Sequence, residues 1–161
     1  MIELTAEQIK QYYHRSYTAV DGLWFMKVEE KYGFDAALDV DAAVWEVMPK
    51  IQARWLKSVA GKGEGIESLL HCFTTKLSLD GHVFSVHRDE GGRGFHVEIQ
   101  QCPWFQLMIK SGREHLAGKM GIRVCTTECS TWASEFGKKI QFSLNGLICQ
   151  GKTQCILSFR E

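Results

Sequence analysis

Cysteines are the residues whose types and spacing in this sequence are best suited to chemistry. The segment CQGKTQC, residues 149–155, places two of the six cysteines on either side of a five-residue, turn-like stretch. Cys102 follows a predicted strand, and Cys125 precedes two threonines that could cap a predicted helix. Thiolates from a helix start and a hairpin tip could provide the four soft ligands of a tetrahedral zinc site.

The spacing of these cysteines leaves other interpretations open. Cys149 and Cys155 could form a disulfide or a redox pair, bind a metal, or be two small apolar side chains, and no CxxC motif occurs. The first residues lack the basic segment and apolar run of a signal peptide, so we expect a cytoplasmic protein in which disulfides rarely persist. Cys72 and Cys129 lie on apolar faces of predicted helices, where a buried structural role is expected.

Composition and charge restrict the class of protein. The 161 residues contain 19 basic and 19 acidic side chains, and 45% of the residues are hydrophobic. This balance creates no global field that would attract nucleic acid, and no stretch approaches the roughly 18 apolar residues of a membrane span. We therefore expect one globular domain over residues 1–161, with neither a nucleic-acid nor a membrane partner.

The first part, residues 1–80, has the pattern of helices. Thr5 and Gln8 form a capping box before a helix that would end near Gly33. Apolar residues at helical spacing over 44–59 and 66–77 predict two further helices. The sequence therefore predicts three N-terminal helices.

The second part, residues 81–161, has the pattern of a sheet interrupted by a helix pair. HVFSVHR and GFHVEIQQ flank the turn-rich DEGGRG and predict an antiparallel hairpin. One helix is expected from Pro103 to Gly118 and a short one over 126–136, followed by the strands KIQFSL and TQCILSF. The expected fold class is α+β, with the three N-terminal helices packed on a four-stranded antiparallel sheet.

A particular order of motifs follows in this second part. It consists of a cysteine, an aromatic-Ala-Ser stretch, a long strand, and a pair of cysteines around a glycine: Cys125, WASEFG at 132–137, the strand from Lys139, and Cys149, Gly151 and Cys155. This order resembles the small-molecule-binding module named after the vinyl reductases of bacteriochlorophyll synthesis, which is also the sensor domain of phenol-responsive activators.

The resemblance implies a zinc site. In the sensor members of that module, the three matching cysteines bind zinc together with a glutamate just before the second cysteine. In this sequence the position of that glutamate falls on Asn145 or Gly146, so a fourth ligand must come from elsewhere. Cys102 is the first candidate and Glu128 the second.

A second resemblance covers nearly the whole chain. The segments DGLWFMKVEEKYG at 21–33, CPW at 102–104 and C-x-x-x-F at 155–159 resemble small bacterial cytosolic proteins related to the L-2-amino-thiazoline-4-carboxylic acid hydrolases. This likeness adds a second functional hypothesis, a hydrolase of a small cyclic amide or thiazoline-type substrate that uses a cysteine or a metal-bound water.

Asp21 and Trp24 are candidate ligand-binding residues on the first helix. Asp21 lies on its apolar face, where a carboxylate needs an ion-pair partner or a ligand to orient. Aromatic residues surround more of this helix than one packing face can cover, so we expect a homodimer. The first hypothesis is a small-molecule-binding domain with a zinc site, the second is the hydrolase, and the third is a structural partner of another chain.

Overall fold

The structure is a computed structural model that describes all 161 residues. The predicted α+β class is confirmed, and the chain divides into two compact units, Met1–Asp41 and Ala42–Glu161. No helix has both the length and the apolar character needed to cross a membrane. The helices are α1 (Ala6–Tyr32), α2 (Phe34–Trp45), α3 (Met48–Ala60), α4 (Ile66–Leu79), α5 (Pro103–Lys110) and α6 (Glu114–Phe136), and the strands are β1 (Val83–Arg88), β2 (Gly94–Gln101), β3 (Gln141–Asn145) and β4 (Cys155–Arg160).

Helix α1 begins and ends where the sequence predicts. The Gln8 backbone N–H donates to Thr5 Oγ1 at 3.2 Å and the Thr5 N–H donates to Gln8 Oε1 at 2.9 Å, which is a capping box. The helix ends at Gly33, whose φ of 86° favours glycine. Phe25 is the buried residue of α1, and its ring contacts that of Phe34 edge-to-face with centroids 5.9 Å apart.

The N-terminal half contains four helices instead of the three predicted. The additional helix, α2, is separated from α1 by Gly33 alone. Its buried residues include Ala37, Leu38 and Ala42. Two of these are alanines, which favour helix strongly but add little to an apolar stripe. The apolar pattern of this segment is therefore weak, and the helix was not predicted from it.

The four strands form one antiparallel sheet in the order β1-β2-β4-β3. The predicted first hairpin is confirmed. Phe95, Val97 and Ile99 of β2 are buried on the face that packs on the helices, and the residues between them point to the other face.

Aromatic side chains connect the sheet to helices α4 and α6. The Phe73 ring of α4 lies 5.6 Å from Trp132 of α6 and 5.0 Å from Phe159 of β4, measured between centroids. Each of these three side chains is fully buried. Helices α4 and α6 therefore cover one face of the sheet and leave the other face free of this core.

The helix pair is divided at a different place from the one predicted. Helix α5 ends at Lys110, and α6 then continues through Gly118 and Gly121, where the sequence suggested a break. A Cβ on Gly121 would lie 2.8 Å from Cys149 Sγ. Gly121 therefore makes room for the single 3-10 turn Ile148–Gln150, and Cys125 is in the middle of a long helix instead of at a helix start.

Candidate functional site

Five of the six cysteines gather around the start of β4. Cys155, its first residue, is opposite Ile99 of β2, three residues before Cys102, and its Sγ accepts from the Ile148 N–H at 3.3 Å, beside Cys149. The Sγ of Cys149 lies against Gly121 of α6, and Cys125 and Cys129 follow Gly121 by one and two helical turns. We call these residues the cysteine cluster: Cys102, Cys125, Cys129, Cys149 and Cys155. The sixth cysteine, Cys72, is buried among core residues of α4, as predicted.

Burial is the main influence on the thiols of the cysteine cluster. It raises the pKa of Cys125 and of Cys129 well above the usual value for a thiol. Burial, together with the charges of Cys155 and Cys102, raises the pKa of Cys149 to about 11. Because their pKa values are raised, these thiols are protonated at neutral pH. Cys125 lies within α6 and has no free amides of a helix start to stabilise a thiolate.

Cys102 is the member of the cluster that stands at a helix start. It is the N-cap residue of α5, directly after β2, which confirms its predicted place between a strand and Pro103. Burial raises the pKa of the Cys102 thiol, while the nearby backbone N–H groups of Phe105 and Trp104 act in the opposite direction. The helix-start position predicted for Cys125 is therefore held by Cys102.

A buried ion pair adjoins the cysteine cluster. Lys76 of α4 donates to Glu128 of α6, and Lys76 Nζ is 3.0 Å from Asp80 Oδ2, with only 8% of the lysine side chain exposed. Burial lowers the pKa of Lys76, but the two carboxylates outweigh this effect and raise it overall. Glu128, the second candidate for a zinc ligand, is thus paired with a lysine.

The position of Lys76 in the sequence is consistent with burial, but helical periodicity alone does not distinguish it from an exposed lysine. Cys72, Lys76 and Asp80 follow one another at intervals of four, so Lys76 lies on the same face of α4 as a buried cysteine. Glu128 is followed four residues later by Trp132 on α6. Only the packing of α4 against α6 makes these two residues partners.

His82, directly before β1, is another polar residue near Lys76. Its Nδ1 is buried and has no hydrogen-bond partner. Burial and then the charge of Lys76 lower the pKa of His82 to about 4, against the opposing effect of Asp80. Val83 pairs with Gln101, so His82 and Cys102 stand just outside the same terminal pair of the hairpin.

The predicted zinc ligands are neighbours, but their sulfur atoms are not assembled as metal ligands. One group of three or more metal-ligating side chains has converging ligand atoms, and it contains no cysteine. It consists of His87, His96 and Glu98. The donor chemistry of the cysteine cluster suits zinc, whereas the arrangement of its sulfur atoms is not that of a ready metal site.

Asp21 and Trp24 lie three residues apart on α1, in the first unit. Asp21 is half-buried, and 69% of the Trp24 side chain is exposed. A shallow groove along the same helix is lined by residues that include Leu4, Tyr12 and Arg15, and neither of the two predicted residues borders it. Their role in ligand binding stays a prediction.

Comparison with known proteins gives one match. No curated protein and no solved structure matches the chain. The model of a family of unknown function, DUF6125, matches residues 3–149, which include four members of the cysteine cluster but not Cys155. The match covers more than half of the chain, and the chain therefore belongs to the family of unknown function DUF6125.

Proposed function

We propose that the chain is a small-molecule-binding domain in which the cysteine cluster binds a structural zinc ion. The observation that carries this proposal is the gathering of thiols at the start of β4, where Cys155 Sγ accepts from the Ile148 N–H at 3.3 Å beside Cys149, and Cys149 Sγ lies against Gly121 of α6. The proposed ligands are Cys102, Cys125, Cys149 and Cys155. Soft thiolate ligands are those that zinc prefers in closed structural sites.

Zinc binding would change the protonation state of the cluster. Burial and neighbouring thiols raise the pKa of Cys125 and of Cys149, so these thiols are protonated when no metal is bound. A zinc ion supplies a positive charge, and its binding releases protons from the thiols.

Metal analysis of the purified chain tests the structural zinc site. Protein purified without added metal should contain about one zinc per chain, and a chelator should lower its melting temperature because metal bound only by the folded state stabilises it. Cys155→Ala should lose the zinc. Cys72→Ala, which removes a buried thiol outside the cluster, should keep it. A zinc-free protein whose melting temperature is insensitive to chelator would contradict the proposal.

The hydrolase is a second candidate, favoured by the neighbourhood of Cys102. This thiol stands at the start of α5. His82 lies at the same end of the β1–β2 hairpin, and its Nδ1, which has no hydrogen-bond partner, could accept the thiol proton. If Cys102 is a nucleophile, it should be alkylated by iodoacetamide faster than Cys149, and His82→Asn should slow that reaction. Mass spectrometry of the modified peptides distinguishes the two cysteines.

Helix α1 is proposed as a homodimer surface in a cytoplasmic protein. Its exposed aromatic residues include Tyr12, Tyr13 and Trp24, an apolar surface that a second copy of the chain would cover. The 27 residues of α1 extend over about 40 Å, long enough for a helix-to-helix interface. Sedimentation should give a dimer, Trp24→Glu should shift it to monomer, and a wild-type monomer at high concentration would contradict the proposal.

A further inference from the structure

The outer face of the β1–β2 hairpin carries two histidines and a glutamate whose ligand atoms converge. His87 on β1 is directly opposite His96 on β2, and Glu98 follows His96 by two residues and lies on the same face. His87 Nε2 is 3.5 Å from Glu98 Oε2, and His96 Nε2 is 3.8 Å from Glu98 Oε1. The three ligand atoms all lie within 4.8 Å of one another.

Backbone geometry fixes this arrangement. The Asp89 N–H donates to the Gly94 carbonyl at 2.9 Å and closes the turn, where Gly91 and Gly92 have positive φ. On the opposite face of β2, Phe95 and Val97 are buried. A register shift of one residue would exchange the two faces and expose the core, so the two histidines are held opposite each other.

We propose that His87, His96 and Glu98 bind a divalent transition-metal ion, with Zn²⁺ as the first candidate. Two imidazoles and a carboxylate are ligand types that suit such ions. Metal–ligand bonds of about 2.0–2.2 Å place two ligands of one ion about 3–4 Å apart, which includes both nitrogen–oxygen distances. The two rings are stacked, with centroids 4.8 Å apart and an interplanar angle of 16°, so the imidazoles must rotate to point at one centre.

Neighbouring side chains orient the carboxylate and leave room around the ion. Ser85 is opposite Glu98 in the register, and its Oγ donates to Glu98 Oε2 at 3.5 Å. Gln100 Nε2 in turn donates to Ser85 Oγ at 2.9 Å. Such outer contacts hold a ligating group in place. The His87 side chain is 49% exposed and that of His96 33%, so water can complete the coordination.

The site is independent of the cysteine cluster. Cys155 packs against the core on the helix-covered face, whereas the two histidines lie on the other face of the same sheet. The two sites also differ in ligand type, nitrogen and oxygen in one and sulfur in the other. A measurement that observes imidazoles directly therefore distinguishes zinc bound by the histidines from zinc bound by the thiols.

The experiment is a Zn²⁺ titration of the full chain labelled with ¹⁵N-histidine, followed by imidazole NMR. One equivalent of Zn²⁺ should shift the ring signals of His87 and His96 among the six histidines. His96→Asn should weaken Zn²⁺ binding at this site about tenfold or more. The matched control is His71→Asn, which removes an exposed histidine 4.0 Å from the Glu67 carboxylate and should leave the affinity unchanged.

Several results would overturn the metal site. They are an unchanged His87 signal at saturating Zn²⁺, an equal loss of affinity in the His71→Asn control, and an unchanged affinity in His96→Asn. Glu98→Gln serves as a second variant if His96→Asn alters the circular dichroism spectrum, and it too should weaken binding. Mg²⁺, a hard ion that prefers oxygen ligands, should shift none of the rings.

Discussion

Cys125 and Cys129 are held within a helix that packs against the sheet, whereas His87 and His96 stand opposite each other on the sheet's outer face. In the first region, burial raises the pKa of each thiol, and the sulfur atoms are not assembled as metal ligands. In the second region, the ligand atoms already converge and remain partly exposed to water.

The difference shows two ways in which a fold can bring reactive side chains together. Strand pairing determines by backbone hydrogen bonds which residues are opposite each other, so the histidine site is fixed by register. The cysteine cluster depends on how the 3-10 turn packs against Gly121 and how α4 packs against α6. Substitutions in the core should therefore disturb the cysteine cluster while the histidine site keeps its geometry.

The largest expected effect comes from the buried charge beside the cysteine cluster. Lys76→Met removes the cation and leaves Glu128 buried without its partner, which should lower the free energy of unfolding by about 3–5 kcal/mol. Urea unfolding measures this change. The control Arg54→Met, which breaks the ion pair of an exposed arginine with Glu135, should have a much smaller effect. Equal effects of the two variants would contradict a special role for Lys76.

The second expected effect is a loss of stability in acid caused by His82. Its pKa is about 4 in the folded chain, against 6.5 for an ordinary histidine, because it is buried near Lys76, with Asp80 opposing. Between these pH values the unfolded chain binds a proton that the folded chain does not. Stability should therefore be steady above pH 6.5 and fall by on the order of 3 kcal/mol as the pH decreases to 4.

The substitution His82→Asn should remove most of this dependence. The measurement is a set of unfolding curves at pH 7, 6, 5 and 4.5. These values are above the usual pKa of a carboxyl group, so His82 is the main source of the pH dependence of stability in this range (about pH 4.5–7). An unchanged pH dependence in His82→Asn would assign the effect to other groups.

A glycine comparison tests the packing of the 3-10 turn on α6. Gly121→Ala would place a Cβ 2.8 Å from Cys149 Sγ, so overpacking should outweigh the higher helix propensity of alanine and cost about 1 kcal/mol. Gly22→Ala in α1 meets no atom within 4 Å and should stabilise its helix by about 0.5–1 kcal/mol. Thermal melting gives both signs, and a stabilising Gly121→Ala would contradict the packing.

The smallest expected effect is on the stability of the histidine site. His96→Asn removes a partly exposed side chain from the outer face, so the free energy of unfolding measured without metal should change by no more than about 0.5 kcal/mol. A large loss would indicate that the stacking of His96 on His87, with ring centroids 4.8 Å apart, has a structural role. Urea unfolding in the presence of a chelator makes this measurement.

Local signals in the sequence predicted local structure well. The capping box of Thr5 and Gln8 and the alternation of Phe95, Val97 and Ile99 each involve residues close in sequence, and the structure contains both features. Cys129 was predicted to lie on an apolar helix face by its 3.6-residue periodicity, and it is buried on α6 together with Trp132 and Phe136.

Features that depend on tertiary contacts could not be read in this way. In the sequence, Gly121 suggests the end of a helix, whereas in the structure it is a mid-helix residue against which the turn that carries Cys149 packs. In the sequence, Lys76 suggests an exposed helix residue, whereas in the structure it is buried and paired with Glu128 of α6. The histidine site was accessible in principle, because the DEGGRG turn fixes the register that puts His87 opposite His96.

The position of β1 in the sheet has a consequence for the lifetime of the histidine pair. The strand order leaves β1 hydrogen-bonded to β2 alone, whereas β2 and β4 each have a strand on both sides. Edge strands open locally more often than central ones, and their amide protons exchange with solvent sooner. His87 moves away from His96 with each such opening, so an ion bound across the two strands would slow amide exchange in β1 more than anywhere else in the sheet.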